Sequence, residues 1–340
     1  MASRVTVLVL FGMVAPLGAA DPQPVRVFVL AGQSNMEGKA KVVLFDRQVK
    51  DAANKDVFAP YRAGDKWAER DDVFVKFLDR KGKLTVGFGS PGCVGPELGF
   101  GNVVGDYFDE PVLLIKTAWG GRSLYRDFRP PSAGLPPQAV LDKMLADLRK
   151  RTPTATADDV KKPFGASYRA MLAEVASTLS DLKTHFPALA GRPTELTGLV
   201  WFQGWNDMIS ADATAEYAVN LVHFIRDVRK DLKAPDLPVV VGEMGVDGAN
   251  PGANIKRFKE AQAKGVAAFK SNVALVKTDV FWDTTAEAVF KKGWREHLDE
   301  WNGVGSDYPY HYLGSAKTML AMGRAMGDAA VALHKAKGGK

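Results

Sequence analysis

Short apolar runs alternate along the chain with longer segments of helical periodicity. The runs are rich in Val, Leu and Ile and nearly continuous, which is typical of parallel strands covered on both faces. They occupy residues 25–31, 111–118, 197–203, 237–243 and 273–279. Apolar residues at three- and four-residue spacing predict helices over 165–185, 213–232 and 315–334. This alternation predicts an α/β fold, a three-layer sandwich around a doubly wound, mostly parallel five-stranded sheet.

A flavodoxin-like arrangement would place the five strands in the order 2-1-3-4-5. Two stretches, 39–110 and 127–163, fit this pattern poorly. We expect them to be insertions that form binding loops or lids. The second follows the Gly120-Gly121 turn, so we expect it to lie over the edge of the sheet that binds ligands.

The first twenty residues read as an export signal rather than as part of the fold. A basic Arg4 precedes an apolar core, and small residues ending at Ala20 form a cleavage site. Cleavage there would leave residues 21–340, which we expect to form a single domain in the periplasm or outside the cell. The apolar core is short for a bilayer span. An uncleaved anchor is the alternative.

Composition excludes several classes of site. Cys93 is the only cysteine among 340 residues, so no intrachain disulfide can form. No Cys or His pair has the spacing of metal ligands, and we expect neither a metal nor a cofactor. The formal charge of +6 comes from scattered lysines and arginines. It therefore gives little reason to expect a nucleic-acid partner.

The most informative motif is Gly32-Gln33-Ser34-Asn35-Met36, which directly follows the first strand. In open α/β sheets, ligands bind at the carboxyl ends of the strands. A serine there can be reached by a base and by free N–H groups at the start of a helix. Ser34 is therefore a candidate nucleophile.

Further polar motifs follow the next strands. The second strand leads into Gly120-Gly121-Arg122, and the third into Gln203-Gly204-Trp205-Asn206-Asp207. A histidine, His311, lies just before the last helix. The chain thus carries a serine, a glycine, an amide and a histidine in this order, and in this it resembles the SGNH (GDSL-like) hydrolases. The strings GQSNM, Gly95-Pro96-Glu97, GG after KTAW, and WFQG narrow the resemblance. They are similar to the branch of sialic acid-specific acetylesterases and acetylxylan esterases of carbohydrate esterase family six. The resemblance extends from about Val25 to about Ala332.

The resemblance implies a role for each motif. Ser34 would be the nucleophile and His311 the base, which fits because the four other histidines lie in or beside predicted helices. The oxyanion hole would use the backbone N–H groups of Ser34 and of Gly121 (or Gly120) and the side-chain amide of Gln203.

The acid of the triad is open at this stage. Related esterases usually carry Asp three residues before the histidine, where this chain has Tyr308; Asp307 lies four residues before it. Asp307 is either the acid or a turn or capping residue. Many relatives also carry Gln-Gly-Glu where this chain has Gln203-Gly204-Trp205, and Asp207 is a substitute for that missing acid.

Six further residues are candidates for substrate binding or for shaping the site: Gln33, Asn35, Glu97, Arg122, Asn206 and Asp207. Asn35 would hold Ser34 in place or cap the following helix. Glu97 would orient a neighbouring loop. Arg122 would contact a sugar or form a surface salt bridge.

These expectations describe an exported serine esterase that removes O-acetyl groups from a carbohydrate. Its oligomeric state and the sugar are left open. Two alternatives stay open as well. One is an esterase for non-sugar acyl groups, and the other is a carbohydrate-binding protein that has lost the chemistry.

Overall fold

The structure is a computed structural model that describes residues 22–338. The predicted export signal and its cleavage site at Ala20 lie outside the described residues. The predicted single domain over 21–340 stays a prediction.

The described residues form a central sheet and two small strand pairs. The strands are β1 Val25–Gly32, β2 Ala40–Lys41, β3 Arg62–Ala63, β4 Lys66–Trp67, β5 Val73–Phe77, β6 Arg80–Lys83, β7 Cys93–Val94, β8 Val112–Ala118, β9 Thr194–Phe202, β10 Val239–Glu243 and β11 Val273–Lys277. The central sheet has the order β11-β10-β9-β1-β8-β5-β6. Its neighbours are parallel except for the antiparallel pair β5–β6.

The five strands expected from the apolar runs are present in the predicted order 2-1-3-4-5. The number of strands was wrong, because the sheet has seven within the described residues. The additional two, β5 and β6, lie inside the segment 39–110 that was expected to be an irregular insertion. They form a short hairpin at the edge, where β6 is mostly polar and half-buried. Its sequence, Arg-Lys-Gly-Lys, lacks the apolar run that identifies a buried strand.

Helices surround the sheet. They are α1 Ser34–Glu37, α2 Val42–Gln48, α3 Lys55–Phe58, α4 Glu97–Tyr107, α5 Gln138–Arg149, α6 Ala157–Lys161, α7 Ala166–Ser180, α8 Leu182–His185, α9 Trp205–Met208, α10 Ala211–Asp231, α11 Ala253–Ala267, α12 Thr284–Lys291, α13 Leu298–Val304 and α14 Ala316–Ala336. The three predicted helices correspond to α7–α8, α10 and α14.

Both faces of the sheet are covered, as a doubly wound sandwich requires. Side chains alternate between the faces along a strand. Phe28 packs against Phe100 of α4, whereas Trp201, which is paired in register with Ala31, packs against Phe224 of α10. Phe28 and Ala31 are three residues apart and point to opposite faces. Helices α4 and α10 therefore lie on opposite sides of the sheet.

The layer that contains α4 and α14 depends on glycines at a close helix crossing. A Cβ on Gly323 of α14 would lie 2.1 Å from the carbonyl oxygen of Pro96, and one on Gly99 of α4 would lie 2.3 Å from that of Leu320. Neither distance is possible for real atoms. The small residues allow the two backbones to touch, and this contact fixes the start of α4 below the Ser34 turn.

The first part of the segment 127–163, residues 129–132, lies along α10. Arg129 pairs with Glu216, and the backbone N–H of Ser132 donates to Asp227, more than two helical turns further along α10. The expectation that the segment forms a lid over the site stays a prediction.

Candidate active site

Ser34 is the first residue of α1, directly after β1 ends at Gly32. A Cβ on Gly32 would lie 2.1 Å from the carbonyl oxygen of Phe202 on the neighbouring strand. Only glycine permits this approach. The chain can therefore turn sharply at the carboxyl edge of the sheet and present the Ser34 hydroxyl there. The serine is 5% exposed.

A buried ion pair lies below this turn. Lys116 of β8 and Glu97 of α4 are both fully buried, with Nζ and Oε2 2.6 Å apart. The lysine also donates to the carbonyl oxygens of Glu37 and Phe88, each at 2.8 Å. Burial lowers the pKa of the Lys116 ammonium. The pair thus anchors the end of α1. Lys116 was missed although it begins the KTAW string, because only the glycines after that string were given a role.

Glu97 therefore does not bind substrate, contrary to its inclusion among the substrate-binding candidates. Its Oε1 accepts from the backbone N–H of Gly95 at 2.9 Å, so it orients the neighbouring loop. A fully buried carboxylate with two partners has no surface to offer a ligand.

The His311 loop is held by an unusual backbone conformation. Tyr312 and Leu313, at φ of 53° and 60°, are in the left-handed region. Such non-glycine residues persist only where the surroundings compensate for the strain. The buried hydroxyl of Tyr312 lies 2.7 Å from Thr278 Oγ1 and accepts from the N–H of Gly245 at 2.7 Å. The side chain of Tyr312 therefore anchors the loop that carries His311.

Asp307 lies beside His311, with its Oδ1 3.2 Å from the imidazole Nδ1. The angle at Nδ1 falls short of a hydrogen bond. Oδ1 also accepts from the N–H of Tyr308 at 2.7 Å. Burial raises the pKa of the Asp307 carboxyl, but the interaction with His311 and the donated N–H outweigh it, so the pKa is below its usual value. Asp307 therefore both caps the turn and faces the histidine.

The Ser34 turn and the His311 loop are joined directly. The side-chain Nδ2 of Asn35 donates to the carbonyl oxygen of Tyr310 at 3.1 Å. Asn35 is buried, and its Oδ1 has no partner within residues 22–338. Its role here is to hold together the two segments that carry the candidate nucleophile and base, rather than to cap the helix.

A network of side-chain amides supports the site from below. The Oε1 of Gln33 accepts from the Nε2 of Gln203, from the N–H of Gly204 and from that of Asn206, at 3.1 to 3.3 Å. Its Nε2 donates to Asn206 Oδ1 at 3.1 Å. Gln33 is thus a buried residue whose amide oxygen and nitrogen are both hydrogen-bonded within the protein, which leaves no group for a substrate.

Gln203 and Asp207 belong to the same network. The Nε2 of Gln203 lies 2.6 Å from Asp207 Oδ2 and 3.0 Å from the carbonyl oxygen of Arg122. With Gln33, this gives three protein acceptors for two protons. The expectation that Gln203 donates to an oxyanion does not fit these bonds.

Asp207 supports the loop after β8. Its two oxygens accept from the N–H groups of Leu124 and Tyr125, each at 2.8 Å. Burial raises the pKa of its carboxyl to about 7 in spite of these bonds. Fully buried and engaged in this way, Asp207 is neither a substrate ligand nor a substitute for the acid beside His311.

Three groups remain near the opening of the site. A Cβ on Gly120 would lie 3.9 Å from that of Ser34, so the Gly120-Gly121 turn lies beside the nucleophile. The amide of Asn206 is half-buried, and because its Oδ1 accepts from Gln33, its Nδ2 faces away from that residue. Arg122 is exposed and pairs with Asp127 at 3.2 Å.

A second charged group at the rim had not been expected. The carboxylate of Glu37 accepts from Ser90 at 2.6 Å and lies 3.2 Å from Lys39 Nζ. A Cβ on Gly120 would lie 3.3 Å from this carboxylate, which places it next to the glycine turn. Glu37 and Lys39 follow the GQSNM string but carry no pattern of their own.

Other histidines lie away from this site, although one has a serine partner. Nδ1 of His223, within α10, lies 2.7 Å from the hydroxyl of Ser132.

No group of three or more His, Cys, Asp or Glu residues that suits a metal ion occurs in residues 22–338. Over the same residues, none of the helices has the length and hydropathy needed to cross a membrane.

The solved structures to which the chain is similar are distant in sequence. A protein from Arabidopsis thaliana is 17% identical, with a TM-score of 0.52 over 91% of this chain and 98% of its own. A carbohydrate acetylesterase from Xanthomonas citri is 15% identical, with a TM-score of 0.45 over 74% of this chain and 49% of its own. NanS is 16% identical, with a TM-score of 0.44 over 76% and 79%.

None of the curated protein sequences matches the chain significantly. The sequence profile described as "Carbohydrate esterase, sialic acid-specific acetylesterase" matches residues 24–288, which is most of the chain. This region contains the Ser34 turn, the glycine turn and the amide network; His311 follows it. The chain is thus a carbohydrate esterase and belongs to the sialic acid-specific acetylesterase family.

Proposed function

We propose that this esterase is a serine hydrolase that removes O-acetyl groups from a carbohydrate through an acyl-enzyme intermediate. The observation that carries the proposal is the direct link between the Ser34 turn and the His311 loop, made by Asn35 and the Tyr310 carbonyl. A serine is a weak nucleophile unless a base lies within hydrogen-bond reach. A bond between their two neighbours keeps the candidate pair together.

Ser34 Oγ attacks the acetyl carbonyl carbon while its proton moves to Nε2 of His311. The bond from that carbon to the sugar oxygen then breaks, and His311 returns the proton to this oxygen. The acetyl group remains as an ester on Ser34. A water molecule, deprotonated by the same imidazole, attacks the ester; acetate leaves and Ser34 recovers its proton. Asp307, on the Nδ1 side, stabilises the imidazolium that forms in both halves.

The oxyanion would be held by three donors at the opening of the site. Two are backbone N–H groups, from Ser34 and from the Gly120-Gly121 turn. The third is the Nδ2 of Asn206, since the protons of Gln203 already have protein acceptors. Gln203 and Gln33 then act as positioning residues that orient the Asn206 amide.

The family favours an acetylated sialic acid as substrate, and acetylated xylan is the alternative from the sequence motifs. Arg122, exposed beside the glycine turn, would contact sugar hydroxyl or carboxylate groups. We also propose export, on the pattern of residues 1–20. No cofactor takes part in these steps.

The acyl-enzyme can be trapped. The protein is mixed with a small excess of 4-nitrophenyl acetate, quenched in acid within the first turnover and digested for peptide mass spectrometry. We expect one acetyl group on the peptide that contains Ser34, and none in the Ser34→Ala variant.

The second serine–histidine pair provides the matched comparison. Ser132→Ala should leave the acetylated Ser34 peptide unchanged, because Ser132 lies along α10. An acetyl group on the Ser132 peptide, or steady product release with no acetylated peptide under any quench time, would contradict the mechanism.

A further inference from the structure

A groove opens next to the triad on the side of Asp307. Its volume is about 700 Å³, and Asp307 and Tyr308 form part of its wall. The remainder of the wall comes from α2 on one side and from residues 290–302 on the other. The side formed by residues 290–308 follows the segment that matches the family, which ends at residue 288, whereas α2 lies within that segment.

A row of aromatic rings leads from the site into the groove. The rings of Trp205, Tyr310, Tyr308, Trp294 and Trp301 follow one another, with successive centroids 5.5 to 6.3 Å apart. Tyr310 also packs against the His311 imidazole, with centroids 4.5 Å apart. Tyr308 is 41% exposed and forms part of the groove wall. Rings with polar tips suit a ligand that is apolar on its faces and polar at its edge.

Polar groups accompany the rings. Lys41, Arg47, Asn302 and Ser306 contribute to the same wall. Lys41, Arg47 and Asn302 supply N–H donors around the aromatic surface, whereas the hydroxyl of Ser306 donates to the carbonyl oxygen of Gly314. Pyranose rings have this combination, because their C–H groups stack on aromatic faces while their hydroxyl groups accept hydrogen bonds at the rim.

The geometry points to a second sugar subsite: we propose that the groove binds a sugar unit linked to the acetylated one, so that the preferred substrate is an acetylated oligosaccharide. This rests on the proposed esterase mechanism. In that mechanism His311 protonates the leaving sugar oxygen, so the sugar that carries this oxygen lies against His311. The next unit then extends past Tyr310 toward Tyr308 and the groove.

The acyl group is not the occupant. It is bound to Ser34 and faces the glycine turn, whereas the groove begins at Asp307, on the other side of the imidazole. An acetyl group has only two carbons and cannot cover this distance. A long acyl chain is the competing occupant, and the test includes it.

The test compares kcat/KM for matched substrates of two lengths, each divided by kcat/KM for 4-nitrophenyl acetate. One series pairs peracetylated xylose with peracetylated xylotriose; the other pairs O-acetylated sialic acid, free and in sialyllactose. The variants are Trp294→Ala and Tyr308→Ala. The control is Phe269→Ala, a partly exposed ring covered by Arg229 at 5.4 Å beyond the end of α11.

In the series that is hydrolysed, we expect the longer substrate to be preferred by about tenfold, as two or more stacked rings would give. Trp294→Ala and Tyr308→Ala should each remove most of this preference, and Phe269→Ala should retain it. A length ratio near one, or a ratio that both variants leave unchanged, would overturn the subsite while the esterase stands. The subsite would also be overturned if the parent hydrolysed 4-nitrophenyl octanoate better than 4-nitrophenyl acetate and if Trp294→Ala and Tyr308→Ala removed this advantage, because the groove would then bind an acyl chain. Failure of every acetyl ester would overturn the proposed function, and the subsite with it.

Discussion

Some polar residues at the strand ends are hydrogen-bonded inside the protein, and others face the opening of the site. The sequence did not distinguish the two kinds. Gln203 is polar at the end of an apolar strand, and the family resemblance implied that its side-chain amide donates to an oxyanion. Its partners are Gln33 and Asp207 in the protein rather than a substrate. Residue type and position predict that such a group is satisfied, but they do not predict by what.

Asn206 is the residue whose change tests the proposed third oxyanion donor; its loss also leaves the buried Nε2 of Gln33 without this acceptor. Asn206→Ala removes one proposed oxyanion donor, and kcat for 4-nitrophenyl acetate should fall by about 10²–10³. Gln203→Ala serves as comparison, because it also leaves buried partners unpaired and should lower the free energy of unfolding by about 1–3 kcal/mol. A kcat for Asn206→Ala close to that of the parent would contradict the proposal that Asn206 is the third oxyanion donor.

Asp207 predicts a pH dependence of stability. Its pKa is raised to about 7 in the folded state, above its ordinary value of 3.8, so the folded protein binds this proton more tightly than the unfolded chain. Its contribution to stability is therefore fully present below about pH 4 and is lost as the pH rises through 7. Asp207→Asn cannot titrate.

Urea unfolding from pH 4 to pH 8 measures this effect in both proteins. The stability advantage of the parent over Asp207→Asn should be largest at pH 4 and should shrink toward pH 8. An advantage that grows with pH would mean that the three donated hydrogen bonds outweigh burial and keep the carboxylate ionised.

At the scale of elements, the loop 307–314 illustrates what local sequence can predict. Asp307 is one residue further from His311 than the aspartate of related esterases, and the conformation of the loop places its Oδ1 3.2 Å from the imidazole Nδ1. The anchor at Tyr312 depends on Gly245 and Thr278, more than thirty residues away in the chain, and no local pattern indicates it.

Tyr312→Phe tests the anchor. It leaves the N–H of Gly245 without its acceptor, and the free energy of unfolding should fall by about 1–3 kcal/mol. We expect kcat to fall as well, with little change in KM, because the His311 loop loosens. Tyr107→Phe is the control, since the buried Tyr107 hydroxyl has no partner within residues 22–338 and its loss should cost little. Equal stability of the two variants would contradict the anchoring role.

The crossing of α4 and α14 gives a second prediction for an element. Gly323→Ala forces a methyl group against the Pro96 carbonyl, and the free energy of unfolding should fall by about 1–3 kcal/mol. Gly303→Ala, also in a helix but with open space around it, should raise it by about 0.5–1 kcal/mol. Urea denaturation of both variants measures these changes. If helix propensity alone decided the outcome, the free energy of unfolding would rise in both variants, which would contradict the packing role of Gly323.

At the scale of the whole molecule, the order of the five buried strands followed from their apolar runs. Continuous Val, Leu and Ile segments leave few alternatives once the helices between them are placed. The edge strands β5 and β6 and the helix α4 could not be recovered in the same way. β6 is polar, and α4 contains three glycines that weaken its helical pattern; Gly99 lies against α14, whereas Gly101 and Gly105 lie against side chains on and beside the sheet.

The sequence located the candidate site better than it assigned the role of each residue in it. Ser34, Gly120, Asn206 and His311 all lie at one edge of the sheet, as strand ends in an open α/β fold require. Whether a polar side chain faces the opening or the interior depends on partners brought by the fold. For Gln33, Glu97 and Asp207 those partners are buried.

The central claim is that Ser34 and His311 act together on an acetyl ester, and acetate release tests it most directly. The measurement is the rate of acetate release from 4-nitrophenyl acetate by the chain from Asp21 onward, beside Ser34→Ala, His311→Ala and Ser132→Ala, each checked for folding by circular dichroism. The account predicts a loss of at least about 10³ in the first two variants and the parental rate in Ser132→Ala. Activity unchanged by Ser34→Ala, or lost only in Ser132→Ala, would contradict it.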